Sequence, residues 1–528
     1  MSNHAYESAA ALRPSSNGPV PISTLSERFS LAPASAEDAA ALNDLSILGV
    51  SVDSGDTAPG ELFVGLPGFT VHGARFAAEA AASGAVAVLT DADGAQIVHE
   101  SAPGTPVLVH DDPRAVVGPL SAEAYHHPAR GLITTAVTGT NGKTTTAYFL
   151  DAILSAHVGA CMVAGTVELR VGERSVESPR TTVEAPVLQR MMALAVEDKV
   201  GAASLEASSH AIVLHRLDGF VVDVAGFTNL QRDHLDFHKT MEGYLEAKAQ
   251  LFTPEHARRG VVCVDDQWGA ALAAKAPIEI DRVRAYPGDT PADWWVGDAA
   301  VSLTDSATTF TLHGPDGEQI EASCPLPGLV NVQNAALALV MAIRAGVPAA
   351  TATAALAGAH NIPGRMQRIS QRDGRRGLCI VDFAHTPDAM ELALKAVRPI
   401  TPGRLIVVFG SDGDRDQGKR PMLGEVCARL ADVLVVTDEN PRSEDPQLIR
   451  NAILDGVRGV RPDLKDVEEI TTWRGDAVRR GVELCGPNDT VIVTGKGHEP
   501  FLEMAGEFIR YNDAPVMAEA VEKKWGRA

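Results

Sequence analysis

Four short apolar runs punctuate the last third of the chain, at 378–382 (LCIVD), 404–409 (RLIVVF), 432–437 (DVLVVT) and 490–494 (TVIVT). Helix-like segments separate them. Continuous apolar strands alternating with helices predict a mostly parallel, doubly wound sheet buried on both faces. Polar clusters follow these runs: SDGDRDQGKR, DENPRSED and GKGHEP. They fall beyond the carboxyl ends of the strands, where open α/β sheets bind ligands. Upstream, the apolar run LITTAV at 132–137 leads through a glycine-containing loop into the helix-like TTTAYFLDAILSA. Alternating strand and helix signals then continue to about residue 361. Before residue 130 the chain shows GELFVGLPG, an alanine-rich helical stretch and the strand-like VAVLT, closed by the loop-forming SAPGTP and HHPARG. The predicted organisation is a flexible polar tail over 1–35, then α/β domains over 36–130, 131–361 and 362–528, the last opening at the turn signal NIPGR.

Composition narrows the class without changing this picture. A chain of 528 residues exceeds what one hydrophobic core supports, so several domains are required. With 45% hydrophobic and 22% charged residues it reads as a globular, water-soluble protein. A net charge of −22 disfavours non-specific binding to nucleic acid or to an anionic membrane, and confines phosphate-binding cations to local clusters. The six cysteines form no C-x-x-C pair, which signals neither zinc nor a disulfide framework and fits a reducing compartment. No apolar run reaches the ~18 residues of a membrane span, and no signal peptide is legible. A monomer in the cytoplasm is the expectation.

The first chemistry lies in Gly139-Thr140-Asn141-Gly142-Lys143-Thr144-Thr145. Glycines let backbone N–H groups approach phosphate oxygens, and the following helix aims its N-terminus at the anion. Lys143 suits the terminal phosphates of ATP, and a hydroxyl of Thr144 or Thr145 suits Mg²⁺. The loop is a variant, because Val137 stands where the first glycine of the usual pattern would be. Glu206, in SLEASSH, ends a predicted strand and is a hard oxygen ligand fit for Mg²⁺. His234, in RDHLD, is by itself more often structural. Lys248, in YLEAK, reads from the residues alone as an exposed helix lysine.

Taken together and in this order, GTNGKTTT, EASSHA, FTNLQRDHLDFH, YLEAK, IPGRMQR, DFAHTPDAM, GSDGDRDQGKRPM, DENPRSEDP and GKGHE resemble the Mur ligases, and among them the MurE type, the UDP-N-acetylmuramoyl-tripeptide synthetases. The resemblance spans about residues 45–515. It implies an N-terminal UDP-binding domain, a central ATPase domain and a C-terminal Rossmann-like domain. It implies ATP-dependent addition of an amino acid to UDP-N-acetylmuramoyl-L-alanyl-D-glutamate through an acyl phosphate, with Mg²⁺ as cofactor. Glu206, His234 and Thr144 then become metal ligands, and Lys248 becomes a carbamylated lysine that helps organise the metal. Asn331 and Asn334 lie by the adenine, Arg365 by nucleotide phosphate, and Asp382 and His385 meet ATP when the third domain closes. Ser54, Thr181, Thr182, Ser208 and Arg216 match contacts to the UDP-muramyl dipeptide. Around them Gly55 replaces an arginine, Phe69 and His72 replace polar and acidic residues, and Arg180 replaces an asparagine.

For the incoming amino acid the resemblance points to Arg415, Glu439, Asn440, Arg442, Gly495 and Glu499. Guanidinium pairs bidentately with carboxylate, so two arginines suit an amino acid with two carboxylates. Gly495 and Glu499 would receive its distal ammonium. The motif reads Glu-Asn-Pro-Arg where the diaminopimelate-adding members have Asp-Asn-Pro-Arg. Diaminopimelate is favoured, and lysine, ornithine or a shorter diamino acid stays open. A P-loop protein using ATP only as a conformational switch would need no arginine pair in the third domain.

Overall fold

The computed structural model describes residues 9–68, 70–301, 307–359 and 362–526. Phe69, and Asn361 at the predicted start of the third domain, lie outside the described residues. The chain forms two compact units. The first comprises Met1–Arg284, Gly288–Asp293 and Leu337–Ala352, and the second Ala285–Pro287, Trp294–Ala336 and Thr353–Ala528.

The first unit holds two larger sheets besides the two-stranded pairing of Val20–Pro21 with Ser46–Ile47. One has five strands in the order Ala32–Pro33, Val107–Val109, Ala87–Thr90, Glu61–Val64, Gly49–Ser51, parallel except for its first pair. Its two faces are covered by separate apolar clusters, one around Leu25, Ile47 and Leu120, the other around Phe63, Ala77 and Val98. The second sheet contributes eight strands here. Their order is Arg174–Glu177, Glu168–Val171, Cys161–Ala164, Ala202–Glu206, Ile133–Thr138, Val222–Phe227, Ala257–Cys263 and Glu279–Arg284. The strands from Cys161 to Arg284 pair in parallel. Register sets the functional edge: Glu206 lies opposite Val137, and Phe227 opposite Thr138. Three carboxyl ends therefore finish at one level, and the loops after residues 138, 206 and 227 emerge side by side.

Residues 9–35, which composition had suggested as a flexible tail, are folded. They carry the helix Ile22–Phe29 and the edge strand Ala32–Pro33, and Leu12 is fully buried in the core of the eight strands. The polar composition misled because the segment binds through single anchors. Arg13 pairs with Glu61 and Asp56, and the buried Arg190 joins Asp56 at 2.9 Å and the Ala9 carbonyl at 2.7 Å.

The second unit has an antiparallel run, Trp294–Val301, Thr308–His313 and Gln319–Cys324. Beyond it lies a six-stranded sheet in the order Gln367–Ser370, Leu378–Val381, Thr490–Val493, Leu405–Phe409, Val433–Val436, Val467–Glu469. All its pairs are parallel except the first. The four predicted apolar runs are its four inner strands, buried at every position. The two edge strands escaped the pattern because they are short and half exposed. Side chains cap the helices between them: Thr386 accepts from Ala389 N and Asp445 from Gln447 N, each with proline in the first turn.

Candidate active site

The phosphate-type loop joins strand Ile133–Thr138 to helix Lys143–Val158. Gly139 has φ +146°, and a Cβ there would collide with the Thr228 hydroxyl. Only glycine fits both the dihedral and the space. The loop is held from outside by residues 228–231, which follow the neighbouring strand. Thr228 Oγ1 donates to Asn141 O at 2.6 Å, Asn141 N donates to Asn229 Oδ1 at 3.1 Å, and Asn141 Nδ2 donates to Gln231 Oε1 at 2.7 Å. Thr140 N donates to Asn229 O at 2.9 Å. Lys143 Nζ folds back on the loop, donating to the carbonyls of Gly139 and Thr140 at 3.0 and 2.9 Å. Thr228, Asn229 and Gln231 open the FTNLQRDHLDFH motif, but nothing in the sequence marks them as clamping this loop.

Glu206 ends its strand with its carboxylate buried beside this loop. Thr144 Oγ1 donates to Glu206 Oε2 at 3.0 Å, and Thr166 donates from N to Oε1 at 2.8 Å and from Oγ1 to Oε2 at 2.9 Å. A carboxylate and a hydroxyl this close to a phosphate loop form an oxygen donor set of the kind Mg²⁺ takes. Thr166 was not singled out in the sequence, where it is one small polar residue after a strand. It also meets Thr181 Oγ1 at 3.2 Å, while Thr182 Oγ1 donates to Glu206 O at 2.6 Å and accepts from Ser208 N at 3.0 Å. Thr181, Thr182 and Ser208 are thus gathered on the same carboxylate strand end. Arg216 reaches this group, pairing with Glu184 at 2.9 Å and donating to Thr182 O at 3.2 Å.

Lys248 is not an exposed helix lysine. It is 1% exposed, on the inner face of helix Met241–Ala249, because the helix ending packs against the loop rather than solvent. Its Nζ donates to Gly139 O at 2.8 Å and lies 4.5 Å from the centre of the Tyr244 ring. Burial, reinforced by the nearby charge of Lys143, pushes its pKa well below that of a free lysine. His234 takes a left-handed backbone (φ +53°), half exposed, with its ring 6.2 Å from that of Tyr244. Lys248 and His234 therefore flank one tyrosine. His238 stacks on the same ring at 4.8 Å and bonds Ser209 Oγ at 2.8 Å. Among the described residues no group of three or more His, Cys, Asp or Glu side chains is arranged to hold a metal. Of the four expected metal ligands, Thr144 and Glu206 are bonded to each other, while Lys248 and His234 lie about the Tyr244 ring.

Ser54 lies in a 3-10 turn, its hydroxyl donating to Glu79 at 2.9 Å, and Asp53 caps that turn through Gly55 N at 3.0 Å. His72 bonds Asp91 at 3.0 Å and caps the next turn through Ala74 N.

The remaining candidates belong to the second unit. Asn334 is buried near the start of helix Leu329–Arg344, and its Oδ1 has no hydrogen-bond partner, while Asn331 Nδ2 donates to Pro327 O at 2.7 Å. A buried amide oxygen without a donor is the kind of group a ligand amine completes. The Arg365 guanidinium lies 4.4 Å from the centre of the Phe383 ring. Asp382 is committed to the backbone: its two oxygens accept from Met366 N at 2.8 Å and Ala384 N at 2.9 Å. It shapes the loop carrying Arg365 and His385. His385 Nδ1 meets Phe383 O at 2.8 Å, and burial, with the charge of Lys419, lowers its pKa.

At the carboxyl edge of the six-stranded sheet, Asn440, Arg442, Glu439, Gly495 and Glu499 come together. Asn440 Nδ2 donates to Asp412 and Glu499, both at 3.1 Å, and its Oδ1 accepts from Lys496 at 2.9 Å. Lys496 is fully buried and also bonds Glu499 at 2.9 Å. Arg442 has φ +53° and reaches Glu503 at 3.1 Å and Asp412 at 3.8 Å. Backbone strain of this kind recurs at functional sites. Arg415 does not join the group; it is exposed on the loop before helix Lys419–Leu430. Arg474, absent from the sequence expectations, is buried under the site, bonding Asp513 at 2.8 and 2.9 Å and the carbonyls of Asp438 and Thr494.

Comparison with known proteins bears on the same regions. Residues 46–125 match the Mur ligase family catalytic domain, 137–342 the Mur ligase middle domain, and 364–497 the Mur ligase glutamate ligase domain. A UDP-N-acetylmuramoyl-L-alanyl-D-glutamate--2,6-diaminopimelate ligase of Streptomyces coelicolor is 43% identical over 480 residues, covering 91% of this chain and 93% of that one. A UDP-N-acetylmuramyl-tripeptide synthetase of Leifsonia xyli is 42% identical, covering 89% of this chain and 91% of that one. A solved UDP-N-acetylmuramoyl-L-alanyl-D-glutamate--2,6-diaminopimelate ligase superposes with a TM-score of 0.63 at 31% identity, over 90% of this chain and 95% of that one.

Proposed function

The chain belongs to the Mur ligase family, and from that premise we propose that it is an ATP-dependent ligase joining an amino acid to UDP-N-acetylmuramoyl-L-alanyl-D-glutamate in peptidoglycan precursor synthesis, in the cytoplasm. Diaminopimelate is the favoured amino acid, as in the names of relatives that align with nearly the whole chain. The observation that carries the reading is Glu206, Thr144, Lys143 and Lys248 converging on one glycine loop. The domains are taken as 36–130 for UDP, 131–361 for ATP and 362–528 for the amino acid. Residues 9–35 are folded with the first two rather than forming a separate tail.

The terminal D-glutamyl carboxylate attacks the γ-phosphorus of ATP, the bond to ADP breaks, and an acyl phosphate forms. The amine of the incoming amino acid attacks the acyl carbon, phosphate leaves, and the amine proton passes to solvent. Lys143 turns from its loop carbonyls to the phosphates, where it and the loop N–H groups offset the charge that grows on the transferred phosphoryl group. Thr144 and Glu206, with His234 and carbamylated Lys248, would hold Mg²⁺, which would supply further charge neutralisation. Thr166 fixes the Glu206 carboxylate. Burial shifts Lys248 toward the neutral amine, the form that takes up CO₂ with loss of a proton, and the resulting carbamate gives the site the anion that an ammonium cannot. Thr181, Thr182, Ser208 and Arg216 hold the muramyl peptide, and Ser54 the uridine diphosphate. Asn331, Asn334, Arg365, Asp382 and His385 serve the nucleotide, Asp382 by shaping the loop. Arg442, Asn440, Glu439, Gly495 and Glu499 receive the amino acid, with Arg415 free to fold in from its exposed loop.

Phosphate release from ATP with Mg²⁺ tests the reading across diaminopimelate, lysine, ornithine and 2,4-diaminobutyrate. Release that requires both the UDP-muramyl dipeptide and an amino acid supports it. Release indifferent to the dipeptide overturns it.

A further inference from the structure

Two turns at the carboxyl edge of the six-stranded sheet are zipped together. Residues 412–414 follow strand Leu405–Phe409, and residues 440–444 follow the neighbouring parallel strand Val433–Val436. Gly413 N donates to Asn440 O at 2.8 Å, and Arg442 Nη1 donates to Gly413 O at 3.3 Å. A Cβ at Gly413 would stand 1.9 Å from Pro441 O, so the turns meet backbone to backbone. The Asp414 carboxylate accepts from Ser443 N at 3.1 Å and from the Ser443 hydroxyl at 2.7 Å. Asp414 and Arg442 both take left-handed backbone, at φ +52° and +53°. Residues other than glycine keep such dihedrals only where their surroundings over-determine them.

Arg420 and Glu444 supply that constraint. Arg420 lies in the first turn of helix Lys419–Leu430 and is 3% exposed. Its guanidinium forks onto Glu444, Nη1 to Oε2 at 2.9 Å and Nη2 to Oε1 at 2.8 Å. Nη2 also donates to Asp412 O at 3.1 Å. Glu444 Oε1 accepts in addition from Asp414 N at 2.6 Å. The Arg420 fork first, then Asp414 N, hold the Glu444 carboxyl below the usual range. One carboxylate therefore grips both ends of the span 415–419, the Asp414 amide before it and the Arg420 guanidinium after it. Arg415 is the first residue of that span and is exposed. It swings on a tether whose two feet are fixed to the turn that carries Arg442.

We propose that Arg420 and Glu444 form a positioning pair that fixes the spacing of Arg415 and Arg442, and that this spacing makes the enzyme select an amino acid with a second carboxylate. The inference rests on the ligase reading above. Both residues act through the two turns and not by touching the amino acid. Guanidinium pairs bidentately with carboxylate only when it is presented in a fixed plane and at a fixed distance. With the span untethered, Arg415 must be ordered at the moment of binding, which costs affinity for the carboxylate it meets. An amino acid that lacks this carboxylate loses nothing by the change.

The test compares diaminopimelate with lysine, which lacks only the distal carboxylate, in the full chain at saturating ATP, Mg²⁺ and UDP-muramyl dipeptide. Wild type prefers diaminopimelate by kcat/KM. Glu444→Gln removes the charge and keeps an acceptor for Asp414 N, whereas Arg420→Lys keeps the charge and removes the fork. Each lowers the preference at least about tenfold, the size expected for one charge-assisted hydrogen bond, through a raised KM for diaminopimelate. kcat and the KM values for ATP, dipeptide and lysine stay near those of wild type. The double variant is no worse than the worse single one, because the two residues act as a unit. A pair that only stabilised the fold would impair both amino acids alike. Thermal unfolding identifies the folded variants, and where one of them does not fold, Glu444→Asp, which withdraws the charge from the fork, must lower the preference in the same sense. An unchanged preference in a folded variant, an equal loss for both amino acids, or a wild type that prefers lysine overturns the proposal. Absence of dipeptide-dependent phosphate release with every amino acid overturns the ligase reading, and this inference with it.

Discussion

Lys248 illustrates what a single residue gains from its surroundings. The same side chain on a solvated helix face is an ordinary cation, whereas here it is buried against Gly139 O and the Tyr244 ring. Lys248→Ala should lose nearly all ligase activity, and short carboxylic acids added to the assay should restore part of it; full activity without them would refute the carbamate role. Thr166→Val keeps the shape but removes the hydroxyl that donates to Glu206 Oε2. Loss of a hydrogen bond to a charged group costs ~1.5–3 kcal/mol, so activity should fall about tenfold or more, with half-saturation by Mg²⁺ moved upward in a metal titration. Glu439 makes a prediction for stability. Its folded pKa, raised to about 8 by burial and then by Asp412, exceeds that of an unfolded glutamate, so the folded state holds the extra proton between about pH 4.5 and 8. Stability is present below that window and is lost as pH rises through it. Glu439→Gln should therefore raise the melting temperature more at pH 8.5 than at pH 5.

At the scale of the element, strand ends decide what meets what. The parallel register that sets Glu206 opposite Val137 and Phe227 opposite Thr138 delivers a carboxylate, a phosphate loop and its clamp to one edge. The clamping role of Thr228, Asn229 and Gln231 was not legible, although they lie in the FTNLQRDHLDFH motif, because they act on Asn141 of another loop, a pairing that no local pattern encodes. The four inner strands of the second unit were legible because burial on both faces demands unbroken apolar runs. Asp382 looked like a ligand-binding residue, yet both its oxygens hold backbone N–H groups. Asp382→Asn should loosen the Arg365 turn, which a rise in the KM for ATP larger than any fall in kcat would report.

For the whole molecule, the first residues matter more than their composition suggests. Leu12 is fully buried in the core of the first unit, and Arg13 and Arg190 converge on Asp56, two residues from Ser54. Removing residues 1–17 should lower the melting temperature by several degrees and raise the KM for the UDP-muramyl dipeptide. Arg190→Ala should reproduce part of both effects at a cost of ~2 kcal/mol, since it removes a charged partner that is 1% exposed. Unchanged thermal unfolding in both variants would show the segment to be dispensable.

The sequence by itself determined the layered α/β architecture, the phosphate loop and the family, because apolar periodicity and contiguous motifs are local and survive in one dimension. It also marked Glu439 as a departure. What only the tertiary structure decided were the states of individual groups: that Lys248 is buried, that Thr166 braces Glu206, that Asp382 serves the backbone, and that Arg415 is exposed while Arg442 is held by Glu503. Charge state and hydrogen bonding depend on which atoms surround a side chain, and those neighbours come from strands and loops far apart in the chain.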